Sequence, residues 1–181
     1  MSKHVRQIVK CAMFVALGVV ISNVLHFAST GIGRILSPMH FTVIICAMLL
    51  GWKYGMICGA LTPLVSSLFG MPQIFPTGIC MMFECCTYGF VSGILNYKLQ
   101  LIKNEKLSII NIIITLIITM ISGRIVGGIF NAIYYSMNSN TYTFKAYLDA
   151  YIIIQLPSII LQFILIPIIV NPLKQLEIEK E

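Results

Sequence analysis

Long apolar runs separated by short polar stretches dominate the chain, and they predict helices rather than strands. A helix needs about 20 residues to cross the hydrocarbon core of a bilayer, and several of these runs reach that length. The predicted spans cover residues 5–27, 40–52, 54–69, 77–97, 107–135 and 144–170. The pattern therefore predicts an all-α membrane protein, a single domain over residues 1–181 with six transmembrane helices in a compact bundle.

The second and third spans are short, and their division decides the topology. Between them lies "GWKYG", which carries two glycines and a lysine and is typical of a tight turn at a membrane surface. Two short helices give six spans in total. The alternative, one long kinked helix over residues 40–69, gives five spans and reverses the orientation of everything after it.

Composition supports the membrane assignment and excludes other classes. The chain has 181 residues, of which 58% are hydrophobic and 10% are charged, whereas soluble domains carry about 25% charged residues. Mean hydropathy is +0.92. Such a chain has no room for a soluble catalytic or nucleic-acid-binding domain, so the formal charge of +6 bears on topology. The basic start "MSKHVRQIVK" leads into a long apolar run and is interpreted as part of the first span, not as a cleavable leader.

The basic residues are distributed asymmetrically between the two predicted sides. With the N-terminus in the cytoplasm, the inner segments hold nine of the twelve basic residues: Lys3, Arg6, Lys10, Lys53, Lys98, Lys103, Lys106, Lys174 and Lys180. The outer loops hold Arg34 and Lys145. This excess follows the positive-inside rule, and it predicts six spans with both termini in the cytoplasm.

Small residues and cysteines along the spans have simple interpretations. Ala12 and Ala16 form an AxxxA pair, and glycines recur at the same spacing in the third, fourth and fifth spans. Such spacing lets helices approach closely, and for the glycines we interpret it as packing within the chain. The six cysteines show neither CxxC pairs nor metal-ligand spacing with histidine, so we expect no metal and no cofactor. No catalytic pattern is present either, and we expect no enzyme activity.

Two ionisable residues inside the spans, Glu84 and Arg124, are the strongest indication of a site. A charged side chain at the bilayer centre costs about 2.5–3.5 kcal/mol on insertion scales, so each needs a partner or a polar cavity. Tyr88 follows Glu84 by one helical turn and Asn131 follows Arg124 by two, so each pair shares a helix face. Other polar residues in the predicted outer half that we expect at the site are Arg34, His40, Gln73, Tyr134 and Gln155.

Two interpretations of these residues remain open. Glu84 and Arg124 either pair to hold two helices together, or they line a pocket that opens only to the outside. His40 is either a boundary residue at the membrane interface or a contact of the ligand. The clustering of tyrosines, amides and loops at one depth favours the pocket.

Four segments follow one another along nearly the whole chain: "AMFVA", the stretch from "PMHFTV" to "GMPQIFP", "GRIVGGIFNAIYY" and "LPSIILQFILIPIIV". With these segments in this order, the chain resembles the substrate-binding S components of energy-coupling factor (ECF) transporters. These segments are similar to the pantothenate, folate and pyridoxine branch of the family.

The resemblance implies a mechanism and a set of roles. Members bind one vitamin-like molecule at the outer face and pass it inward with a transmembrane coupling subunit and two cytoplasmic ATPases, in a bacterial cell membrane. Ala12 and Ala16 match the coupling face, while Arg34, Glu84, Tyr88, Arg124, Asn131 and Gln155 match the pocket. An arginine suits a carboxylate, which favours pantothenate ahead of pyridoxine, hydroxymethylpyrimidine or folate.

Other classes of function remain as alternatives. A stand-alone facilitator or a proton-coupled carrier would use Glu84 as its proton site. A small structural membrane protein would bind no ligand. Transport by the purified chain without ATP would favour the carrier, and tight binding without transport would favour the S component.

Overall fold

Helices make up every regular element in the described part of the chain. The computed structural model describes residues 2–28, 35–70, 72–99, 105–137, 143–149 and 153–178. Its helices are α1 (Lys3–Ala28), α2 (Pro38–Leu50), α3 (Trp52–Leu68), α4 (Ile79–Leu99), α5 (Glu105–Met137), α6 (Phe144–Leu148) and α7 (Leu156–Ile178). A wide turn, Ile74–Gly78, leads into α4. The segments long and apolar enough to cross a membrane are His4–Phe27, Ile79–Asn96, Ile109–Met137 and Leu156–Leu173.

The chain breaks at Gly51, inside the predicted turn, and α2 and α3 fold back on each other. Gly51 has φ +90° and ψ 172°, a conformation that is essentially restricted to glycine. Thr42 of α2 and Thr62 of α3 both lie against Gly18 of α1. These threonines stand at similar distances before and after the break, so the two helices are antiparallel. One long kinked helix is excluded.

α2 lies at the centre of the bundle and not at its lipid-facing surface. Apart from Phe41, its residues from Pro38 to Met48 are buried, and it packs against α1, α3, α4 and α7. A helix that is apolar on all sides is expected to be buried in this way. Its 13 residues span about 20 Å at 1.5 Å each, short of the roughly 30 Å hydrocarbon core.

Glycines bring α3 and α4 into backbone contact. A Cβ on Gly55 or Gly59 of α3 would collide with the backbone of α4, and a Cβ on Gly89 or Gly93 of α4 would collide with that of α3. These helices make the most extensive contact in the bundle. The interpretation of these glycines as packing within the chain is confirmed.

The predicted last span differs most from the observed helices. The segment 144–170 contains the short helix α6 and then a separate helix, α7, which begins at Leu156. Pro157 is the second residue of α7, where its missing N–H costs nothing because the first turn has no partners for its N–H groups. Both ends of the other five predicted segments lie within two residues of helix ends.

Candidate functional site

The site begins with a carboxylate and a phenol one turn apart on α4. The Tyr88 hydroxyl donates a hydrogen bond of 2.7 Å to Oε1 of Glu84. Glu84 is 2% exposed and Tyr88 is fully buried. The predicted sharing of one helix face is thus confirmed, and the buried carboxylate has a donor within its own helix.

Tyr88 is held by residues from two other helices. The His40 ring of α2 meets the Tyr88 ring edge-on, with centroids 4.9 Å apart and planes at 63°. On the α5 side the ring lies against Gly123, where a Cβ would collide with it. In the sequence, the glycine directly before Arg124 indicates a close contact at this position. The sequence does not indicate that Tyr88 is the residue in contact. His40 is 1% exposed, so its side chain faces the interior of the bundle.

Arg124 brings a positive charge to the same buried place. It follows Gly123 on α5, is 8% exposed, and lies within electrostatic range of Glu84, Tyr88 and His40. Within the described residues, its nitrogens Nη1 and Nη2 have no hydrogen-bond partner, and neither does Nε2 of His40. Burying polar groups without partners is costly. The arrangement therefore presents two charged donors and an imidazole nitrogen that a ligand with acceptor atoms would satisfy.

Further aromatic contacts position α5 beside α4 and α6. Phe83, next to Glu84, stacks on Phe130 with centroids 4.0 Å apart and planes within 5° of parallel. The Tyr147 hydroxyl of α6 donates to the Arg124 carbonyl at 3.4 Å, and its ring lies against Gly128. The sequence analysis missed Tyr147, since no spacing pattern links α6 to α5.

A comparison with protein families decides the chain's class. The model of the family "ECF transporter, substrate-specific component" matches residues 6–170. The chain belongs to this family. It is a multi-pass membrane protein and the substrate-binding subunit of an ECF transporter. The family binds small molecules, works with membrane coupling and ATPase subunits, and is not a family of enzymes. No curated protein and no solved structure matches the chain.

Four of the predicted site residues of this S component come together: His40, Glu84, Tyr88 and Arg124, which we call the buried cluster. Glu84 and Arg124 do not form a simple helix-to-helix pair, because the described bond of the carboxylate goes to Tyr88 and the terminal nitrogens of Arg124 lack partners. This geometry favours the pocket interpretation over the pairing interpretation.

The remaining predicted residues lie outside the described contacts of the buried cluster. Asn131 donates to the Gly127 carbonyl of its own helix at 2.9 Å, and Tyr134 packs edge-on against Tyr135. Gln155 lies just before α7, with Oε1 buried and without a hydrogen-bond partner among the described residues. Gln73 is exposed, and its carbonyl accepts the Gly78 N–H. Arg34 lies outside the described residues.

Buried polar residues also occur on α5 and α7 outside the buried cluster. Thr115 and Thr119 on α5 and Gln162 on α7 are fully buried or nearly so. Gln162 Nε2 donates to the Ser158 hydroxyl at 2.8 Å, and Ser158 donates to the Leu36 carbonyl at 2.7 Å. The second bond joins α7 to the residues before α2, and the first orients Ser158 from within α7. Among the described residues, no group of three or more His, Cys, Asp and Glu could hold a metal ion.

Two surfaces of this S component lie apart from the buried cluster. Ala12 and Ala16 are exposed on α1. A cleft of about 410 Å³ runs between α1, α2 and α7 and contains no residue of the buried cluster. Its lining is apolar and exposes no polar atom that could bind a water-soluble ligand.

Proposed function

We propose that this S component captures a water-soluble vitamin or a related micronutrient at the outer face of a bacterial cell membrane. A transmembrane coupling subunit and two cytoplasmic ATPases then drive its uptake. The observation that supports the proposal most strongly is Arg124: its guanidinium is buried beside Glu84, Tyr88 and His40, with both terminal nitrogens unpartnered in the described structure.

The proposed substrate is pantothenate. A guanidinium forms two parallel hydrogen bonds with a carboxylate, and these bonds are about twice as strong as neutral ones. Pantothenate carries a carboxylate for Arg124 and hydroxyl and amide groups for His40 Nε2 and Glu84. The next candidates are pyridoxine, hydroxymethylpyrimidine and folate. A neutral pyridine or pyrimidine alcohol would be held by Tyr88 and by side-chain amides.

The proposed site includes residues beyond the buried cluster. Asn131 shares the Arg124 face two turns along α5, and the other members are Arg34, Gln73, Tyr134 and Gln155. They would enclose the ligand from the outer side. The AxxxA pair of α1, Ala12 and Ala16, is proposed as the contact with the coupling subunit.

Equilibrium binding of radiolabelled pantothenate to the purified chain tests the substrate. We expect saturable binding that unlabelled pantothenate displaces and that pyridoxine displaces only weakly. Lys145→Met, which removes an exposed positive charge outside the buried cluster, should bind as well as the parent. No saturable binding of pantothenate, together with saturable binding of radiolabelled pyridoxine in the same assay, would move the assignment to the neutral alcohols.

A transport assay separates the S component from a carrier. In vesicles that hold the purified chain alone, without ATP, the proposal predicts binding without net uptake. Uptake should appear when the coupling subunit, the ATPases and ATP are added. Uptake by the chain alone that a proton gradient accelerates, and that Glu84→Gln abolishes, would establish the carrier instead.

A further inference from the structure

Gln162 of α7 presents a buried acceptor to the interior of the bundle. We propose that it is a specificity-determining residue of this S component, whose amide oxygen binds a hydroxyl at the end of the substrate opposite to the carboxylate. The inference rests on the proposed function and deepens it. Gln162 is fully buried, and its Oε1 has no hydrogen-bond partner among the described residues. A buried acceptor without a donor costs free energy, and a substrate that donates to Oε1 would remove that cost.

Two hydrogen bonds fix which end of the Gln162 amide is free. The Leu36 carbonyl can only accept, so the Ser158 hydroxyl donates its single proton in the bond of 2.7 Å between them. Towards Gln162 the same hydroxyl can therefore only accept, and the atom 2.8 Å from it must be the amide nitrogen Nε2. The amide cannot be reversed without losing this bond. Oε1 is thus the free end, and it accepts but cannot donate.

Helix α7 runs beside α2 in the same direction. The bond from Ser158 to Leu36 places the first turn of α7 next to the residues just before α2. Further along, Ile166 belongs to the same hydrophobic core as Ile44 of α2. Because the two helices start together and stay together, Gln162, one turn beyond Ser158, lies at about the depth of the residues one turn into α2.

That depth is the depth of the buried cluster. His40 lies one turn into α2, since its N–H donates to the Ser37 carbonyl at 3.1 Å. Gln162 also lies on the inward face of α7, where residues at spacings of four are all fully buried: Ser158, Gln162, Ile166 and Val170. Arg124 belongs to α5, which packs against α7. Gln162 therefore faces the same interior as Arg124 from a different helix.

The two side chains have opposite hydrogen-bonding polarity. Arg124 offers only donors, through two nitrogens without partners among the described residues, and Gln162 offers an acceptor. The substrate class that satisfies both is a small carboxylate with a hydroxyl at its other end. Pantothenate has this form, because its primary hydroxyl lies at the end opposite to its carboxylate. The hydroxyl can reach α7 while the carboxylate stays on α5.

Equilibrium binding of pantothenate, and of the analogue in which the primary hydroxyl is replaced by hydrogen, tests this role. The parent should bind the analogue about tenfold more weakly, equivalent to about 1.4 kcal/mol, because a site built to bond a hydroxyl rejects a compound without one. Gln162→Met keeps the side-chain length but removes the acceptor, so it should bind pantothenate about tenfold more weakly than the parent does and bind both compounds equally. Ile164→Met, at an exposed position of α7, should discriminate as the parent does.

The outcomes separate this inference from the substrate assignment. Absence of pantothenate binding by the parent would overturn the assignment to pantothenate, and the role of Gln162 with it. Binding by the parent, with undiminished discrimination by Gln162→Met, would overturn the role of Gln162 alone. A loss of affinity in Gln162→Met that is the same for both compounds would do so too, because a purely structural effect has that pattern.

A second variant keeps the test decisive if Gln162→Met does not fold. Ser158→Ala leaves the acceptor in place but removes the bond that sets the direction of the amide. It should discriminate between the two compounds less than the parent does. Discrimination equal to that of the parent would overturn the inference.

Discussion

Tyr88 is the residue at which three helices meet in the buried cluster. Its hydroxyl satisfies Glu84 on α4, its ring packs on His40 of α2, and its edge lies where α5 has a glycine. A buried acceptor that loses its hydrogen-bond donor costs about 1–3 kcal/mol. The phenol therefore contributes to stability as well as to the shape of the site.

Tyr88→Phe tests this role. The ring and its packing remain, but the Glu84 carboxylate loses its donor, so we expect a loss of about 1–3 kcal/mol. The measurement is the midpoint of thermal aggregation in detergent, which should fall by several degrees. Ile133→Leu, at an exposed position of α5, is the control and should leave the midpoint unchanged. Equal midpoints for the two variants would contradict the role assigned to the hydroxyl.

At the scale of elements, the α3–α4 interface depends on its glycines. Gly89→Ala would place a Cβ against the Gly55 carbonyl, and backbone cannot yield as a flexible side chain can. Overpacking of this kind typically costs about 1–3 kcal/mol. We expect lower thermal stability by the same assay. Ser136→Ala, at an exposed position of α5, is the control and should have little effect. A Gly89→Ala protein as stable as the parent would show that the two helices can separate without cost.

The exposed pair on α1 gives a prediction about coupling. Ala12→Trp or Ala16→Trp should prevent co-purification of the coupling subunit and stop uptake, because a bulky side chain blocks close helix approach. Ligand binding by the isolated chain should be unchanged, since neither residue belongs to the buried cluster. Val24→Trp, also exposed on α1, is the control. Normal uptake by the double variant would remove the coupling role.

For the whole molecule, local patterns were predictable from the sequence and tertiary contacts were not. The Glu84–Tyr88 bond follows from their spacing, and the break at Gly51 follows from the glycine-rich turn. The contact of His40 with Tyr88 depends on how α2 enters the bundle, which no local pattern encodes. The division of the last predicted span was missed because the aliphatic residues 152–154 run directly into α7, which made the segment read as one apolar run despite Lys145 and Asp149. Pro157 was the available signal.

Orientation in the membrane is a further prediction at this scale. Ser2→Cys introduces a thiol just before α1, and Thr143→Cys introduces one just before α6. Both positions are exposed. If both termini are cytoplasmic, as the positive-inside rule predicts, an impermeant maleimide added to intact cells should label the second variant and not the first. The parent chain, treated in the same way, shows how much of the labelling comes from its own cysteines. Equal labelling of both variants would exclude the six-span orientation.

The central claim is that Arg124 binds the substrate and does not merely join α4 to α5. Its most direct test is mass spectrometry of the small molecules that the purified protein retains from a mixture of water-soluble vitamins. The parent should retain one vitamin. Arg124→Met combined with Glu84→Gln removes both charges and should retain less than about a tenth as much, since truncation in a buried charged contact typically costs about 2–5 kcal/mol. Retention at the parent's level by this double variant would show that Arg124 only joins the helices, and would contradict the account.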